Sequence, residues 1–101
     1  MQNVIVVKVG ASKRIPQSRI WLEGWRLTSA GFAHGTRYNV EWTATGATLT
    51  PDAAGARKVA GSPERPIIDI TGEKVRALGV DRVIVVYYTG SAQKIKIERG
   101  E

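Results

Sequence analysis

The side chains best equipped for chemistry in this sequence are cations. Lys8, Lys13, Arg14 and Arg19 lie close together near the start, and Arg26 and Arg37 follow. Farther along come Arg57, Lys58 and Arg65, then Lys74, Arg76 and Arg82. Arginine and lysine pair with phosphate oxygens, and an arginine fork also reads guanine in the major groove. One such residue means little, because most are simply solvated. Lys13, Arg14, Arg19 and Arg26 are read as a group, a patch that docks phosphates. The candidate nucleic-acid-binding residues are Lys8, Lys13, Arg14, Arg19, Arg26, Arg37, Arg57, Lys58, Lys74 and Arg76.

Other chemistry is thinly supplied. A hydrolase needs positioned acids, bases or metal ligands. The chain has one histidine and no cysteine, which excludes disulfides and thiolate metal sites. His34 precedes Gly35 in an expected turn and reads as a solvated turn residue. No His, Asp and Glu cluster has metal-ligand spacing, and the glycines form neither GxGxxG nor a P-loop. No catalytic residue, metal or cofactor is therefore assigned. An enzyme could still be a metal-independent ribonuclease built from Lys, Arg, Tyr and carboxylates, and no motif selects its residues.

The bulk numbers favour an acidic partner. The formal net charge is +6. Residues 1–50 hold six Lys or Arg against two acids, and residues 51–101 hold nine against seven. With 43% hydrophobic residues and three tryptophans in 101 positions, a folded body is expected. The longest apolar runs, Val4–Val7 and Val83–Tyr88, are too short to span a bilayer as helices. No signal-peptide pattern opens the chain, so the expected location is the cytoplasm, with no membrane partner.

The elements that position the cations follow from local pattern. Residues 2–9 form a strand candidate closed by Gly10, and residues 11–18 a loop around Pro16. Arg19–Leu22 is a short strand with Trp21 on the face opposite Ile20 and Leu22. A helix from Trp25 to Ala30 puts Leu27 and Ala30 on one face, with Gly31 as its left-handed cap. Tyr38–Trp42 alternates, Gly46 is placed in a hairpin turn, and Ala47–Thr50 returns. Residues 51–65 read as a connection that contains a short strand near Arg57–Ala60. Then come a strand at Pro66–Ile70, a Thr71 N-cap, a helix at Gly72–Leu78 and a cap at Gly79. Arg82–Tyr88 is nearly all apolar, which predicts burial on both faces. Lys94–Glu98 alternates isoleucine with charge.

Two stretches are copies of one pattern. Ile20, Leu22, Gly24, Leu27 and Gly31 recur 48 positions later as Ile68, Ile70, Gly72, Val75 and Gly79. Beyond Phe32 and Val80 the second copy is shorter by three residues, so Arg37 matches Arg82 and Tyr38 matches Val83. The copies differ where Trp21 and Trp25 meet Asp69 and Glu73.

The first copy resembles the SymE branch of the AbrB-like swapped-hairpin proteins. The residues that carry the likeness are Ile20, Leu22, Gly24, Leu27, Ala30-Gly31-Phe32, Gly35, Val40, Gly46 and Leu49-Thr50. The second copy, through Val75-Arg76-Ala77-Leu78-Gly79-Val80, is similar to AbrB- and MazE-like units. The resemblance implies a β-rich α+β fold in which two strand–short helix–strand–strand units interleave into one small barrel-like domain. The units would be residues 1–52 and 66–101, joined by 53–65. It also implies nucleic-acid binding, with double-stranded DNA favoured and RNA the alternative. Such a protein would be a DNA-binding regulator, a nucleoid-type binder or a toxin–antitoxin component. An RNA-cleaving toxin and a protein-interaction module are the other readings. Family units pair, so the pair could lie within one chain as a pseudo-dimer, leaving monomer or homodimer open.

Overall fold

The computed structural model describes residues 2–11 and 18–100, so Lys13 and Arg14 lie outside the described residues. The chain runs β1 (Gln2–Lys8), β2 (Arg19–Glu23), α1 (Trp25–Ser29), β3 (Arg37–Trp42), β4 (Gly46–Pro51) and β5 (Arg57–Lys58). It continues with β6 (Ala60–Ser62), β7 (Arg65–Thr71), α2 (Glu73–Arg76), β8 (Arg82–Tyr88) and β9 (Lys94–Arg99). All pairings are antiparallel. A six-stranded sheet has the order β1-β8-β9-β4-β3-β5, and a three-stranded sheet the order β2-β7-β6. The expected β-rich α+β class holds. In place of a closed barrel there are two antiparallel sheets with two short helices.

The apolar positions of each strand explain the layers. Val83, Val85 and Tyr87 of β8, Ile95 and Ile97 of β9, and Ala47 and Leu49 of β4 point into one core. Ile20, Leu22, Ile68 and Ile70 of the small sheet join the same core. Neither helix is long enough to stand alone. Leu27 and Ala30 anchor α1, and Val75 and Leu78 anchor α2, all buried. Each helix begins at a glycine corner, Gly24 with φ 95° and Gly72 with φ 120°, a region that disfavours other residues.

The hydrogen bonds repeat with the sequence. Ile20 faces Ile70, Trp21 faces Asp69 and Leu22 faces Ile68. Shifting the first partner forward 48 positions and the second back 48 returns the same pairs. The β4–β9 ladder behaves identically, with Ala47 facing Ile97, Thr48 facing Lys96 and Leu49 facing Ile95. Outside the ladders, Gly24 N–H donates to Pro66 O at 3.1 Å, and Gly72 N–H to Ser18 O at 3.0 Å. Val9 N–H donates to Asp81 O at 2.8 Å, and Val59 N–H to Thr36 O at 2.9 Å. The strand order of the large sheet is itself two-fold when β1 is matched to β5, β8 to β3 and β9 to β4.

Several expectations are corrected. Arg82–Tyr88 is buried on one face alone, because nothing among the described residues covers the outer face of the large sheet, and Ile84 is exposed. Gly46 closes the turn between β3 and β4, its carbonyl accepting from the Thr43 N–H at 2.8 Å, and it is also the first residue of β4. It is held against β9 so closely that a Cβ there would meet the carbonyl oxygen of Ile97. Thr71 is the last residue of β7, and Gly72 caps α2 without a side-chain bond. Both helices are shorter than their patterns suggested. No helix of the described residues is long and apolar enough to cross a membrane.

Candidate nucleic-acid interface

The outer face of the six-stranded sheet is built by alternation. Where Val83, Val85, Ile95 and Ile97 point inward, their neighbours Arg82, Ile84, Val86, Lys94, Lys96 and Glu98 point outward. Residues opposite each other in antiparallel ladders share a face. Lys8 stands opposite Arg82 on β1 and β8. Arg37 stands opposite Lys58 on β3 and β5. Lys96 faces Thr48, whose other partner is Glu41. The outer face thus presents Lys8, Arg82, Lys94, Lys96, Arg37 and Lys58 against the carboxylates Glu41, Glu98 and Asp52, the last held by Asn39 beside Arg37. The cations run diagonally, from the Lys8–Arg82 corner through the two β9 lysines to the Arg37–Lys58 corner.

The two corners are equivalents. Lys8 corresponds to Lys58, and Arg82 to Arg37, through the same matching that relates the Val9–Asp81 and Val59–Thr36 bonds. Like charges directly opposite one another in a ladder are destabilising. Both corners nonetheless carry them. Among the described residues Arg82 has a loose ion-pair partner, Asp81 at 3.6 Å, with both side chains well exposed. Arg37 donates to the Gly55 carbonyl at 3.2 Å, which orients it without neutralising it. Lys94 lies over the Tyr88 ring at 4.8 Å.

The small sheet differs. Arg19 donates two bonds to Asp69, at 2.9 and 2.7 Å, and its guanidinium stacks over Trp21 at 4.6 Å. Arg65 donates to Glu23 at 2.8 Å. The Glu23 carboxylate is held below the usual glutamate range, first by the Arg65 bond and then by the Trp21 indole. Two cations and two carboxylates around Trp21 cancel, so this face offers phosphates little net attraction. Trp21 lies across the ladder from Asp69, 39% exposed.

The remaining candidates are scattered. Arg26 of α1 stacks over Trp25 at 4.7 Å, and its Nε is buried with no hydrogen-bond partner among the described residues. Arg57 is half-buried, and its charge offsets part of the rise that burial causes in the pKa of the Tyr38 phenol. Lys74 and Arg76 are exposed on α2. Of the residues singled out from sequence, the structure brings Lys8, Arg37 and Lys58 onto one face with Arg82. Lys94 and Lys96 were missed as site residues, although the alternation of Lys94–Glu98 already set them opposite Ile95 and Ile97. His34 is exposed in the turn before Gly35. Among the described residues no group of three or more His, Cys, Asp and Glu could hold a metal ion. No protein-family model, curated protein or solved structure matches the chain.

Proposed function

We propose that this chain is a nucleic-acid-binding protein made of two interleaved AbrB/SymE-like units, and that it docks duplex DNA through the outer face of its large sheet. The observation that carries the reading is the doubled like-charge corner, Lys8–Arg82 and Lys58–Arg37. Each corner costs stability, and its recurrence at equivalent positions is what an anionic partner would explain. The symmetry favours a duplex over a single strand. The two antiparallel backbones of a duplex are related by two-fold axes, whereas a single strand has none. The pairing of β2 with β7 and of β4 with β9, each unchanged by the 48-residue shift, supports the interleaved units. The contacts are to phosphates, so the binding is electrostatic and weakly sequence-dependent.

The test is binding to a short duplex across a salt series. Each neutralised phosphate contributes about −0.9 to the slope of log K against log salt. Six cations set an upper bound of roughly −5. Affinity that does not change with salt, or no binding at low salt, overturns the reading.

A further inference from the structure

We infer that two copies of this chain pair through β1, edge to edge and antiparallel, with Ile5 at the dimer axis. β1 is an outermost strand of the large sheet, seven residues long, and no described strand covers its free side. It lacks most of the usual protections of an edge: it has no proline and no inward charge, and besides the one lysine at its end, Lys8, its described exposed positions are the valines Val4 and Val6. Val4 and Val6 are 59% and 64% exposed. They adjoin Val86 and Ile84 in the ladder, so an apolar strip borders the open edge.

The backbone fixes how a second strand would add. Val9 N–H donates to Asp81 O, so the odd-numbered residues of β1 bond to β8. The N–H and C=O of Val4 and Val6 then point to the free side. Gly10 agrees, since its N–H turns away from β8 to reach Arg19 O at 2.8 Å. In an antiparallel pair centred on Ile5, Val4 of one copy bonds Val6 of the other, twice over. The four valines lie on one face and join the two Ile84–Val86 strips.

The occupant is a second copy because the strand complements itself. The single charge of β1, Lys8, falls opposite Gln2 of the other copy. The opposite edge of the sheet could not do this. β5 has two residues, Arg57 and Lys58, and self-pairing would set cation against cation. One adhesive edge gives a closed two-fold dimer, where two would give an open filament. A single strand pair and four valines bury less than the roughly 1,200 Å² at the low end of stable interfaces. The dimer is therefore weak and concentration-dependent.

The test is light scattering on nuclease-treated protein from roughly 10 µM to roughly 1 mM, a range that spans weak association. The expected result is a mass rising from one chain toward two. Val4→Lys with Val6→Lys, at positions already exposed, places like charges opposite one another in the dimer. It should raise the dissociation constant roughly tenfold with circular dichroism unchanged. Val6→Pro removes an outward N–H that the β1–β8 ladder does not use, and should also give a monomer. As a readout that needs no variant, the Val4 and Val6 amides of the native chain should exchange more slowly as concentration rises. A native chain that stays monomeric throughout overturns the inference. So does a dimer that the valine substitutions leave intact, or amides at Val4 and Val6 that ignore concentration.

Discussion

Tyr87 shows how one residue ties the core to pH. Its ring is almost wholly enclosed, and burial pushes the phenol up from 10.0 to about 12, with the nearby charge of Arg26 working the other way. A raised folded pKa means the native state holds its proton more tightly than the unfolded chain. The contribution is complete below the unfolded value near 10 and is lost as pH rises toward 12. Alkaline unfolding should therefore steepen across that window, and Tyr87→Phe should flatten it, as followed by denaturant midpoints at pH 9, 10 and 11. Glu23 has the opposite sign. Its depressed folded pKa makes its share present above the ordinary glutamate value and lost as pH falls through the lower one. Its bonds are exposed, so the effect is read by the carboxyl titration itself in an NMR experiment, and Arg65→Ala should move that titration back up. Gly46 is the sharpest steric case. A methyl there collides with backbone, which has no side chain to swing aside. Gly46→Ala should cost about 3 kcal/mol or more. Gly35→Ala, where φ is 85° but the space is open, should cost only about 1–2 kcal/mol. Thermal unfolding of the pair separates packing from backbone strain.

The elements were legible in the sequence where hydrophobic period and glycine agreed. Leu27 with Ala30 and Gly31, and Val75 with Leu78 and Gly79, marked two short helices, and both are present; left-handed Gly31 directly follows the Ala30 cap of α1, whereas left-handed Gly79 lies two residues beyond the Ala77 cap of α2. These helices are held by tertiary packing, so Leu27→Ala should destabilise the whole protein by about 2–5 kcal/mol and not merely fray α1. A denaturant melt with coincident far-ultraviolet and tryptophan signals would show the single loss. The Arg82–Tyr88 run misled because an unbroken apolar stretch reads as burial on both faces. The outward Ile84 and Val86 instead flank an open edge. That distinction depends on which strand stops the sheet, and local composition does not carry it. Gly46 was legible as part of the β3–β4 turn, but its tight seat against β9 was hidden for the same reason: that close approach is a non-local fact.

At the scale of the whole molecule, the repeat was visible as a 48-residue spacing, but its consequence was not. Which strands of the two copies meet, and therefore which cations share a face, follows from the β2–β7 and β4–β9 registers. Sequence proximity drew attention to Arg19, which is spent on Asp69. It passed over the link between Lys8 and Arg82, residues far apart in the chain. The central claim is that the two equivalent corners of the large sheet dock a nucleic-acid duplex. Fluorescence anisotropy on a labelled duplex, over a salt series, tests it with three proteins: the native chain, Lys8→Ala with Arg82→Ala, and Arg37→Ala with Lys58→Ala. Each double variant should make the salt slope shallower by about 2, and the two losses should be similar. Native affinity and slope in both double variants would contradict the account.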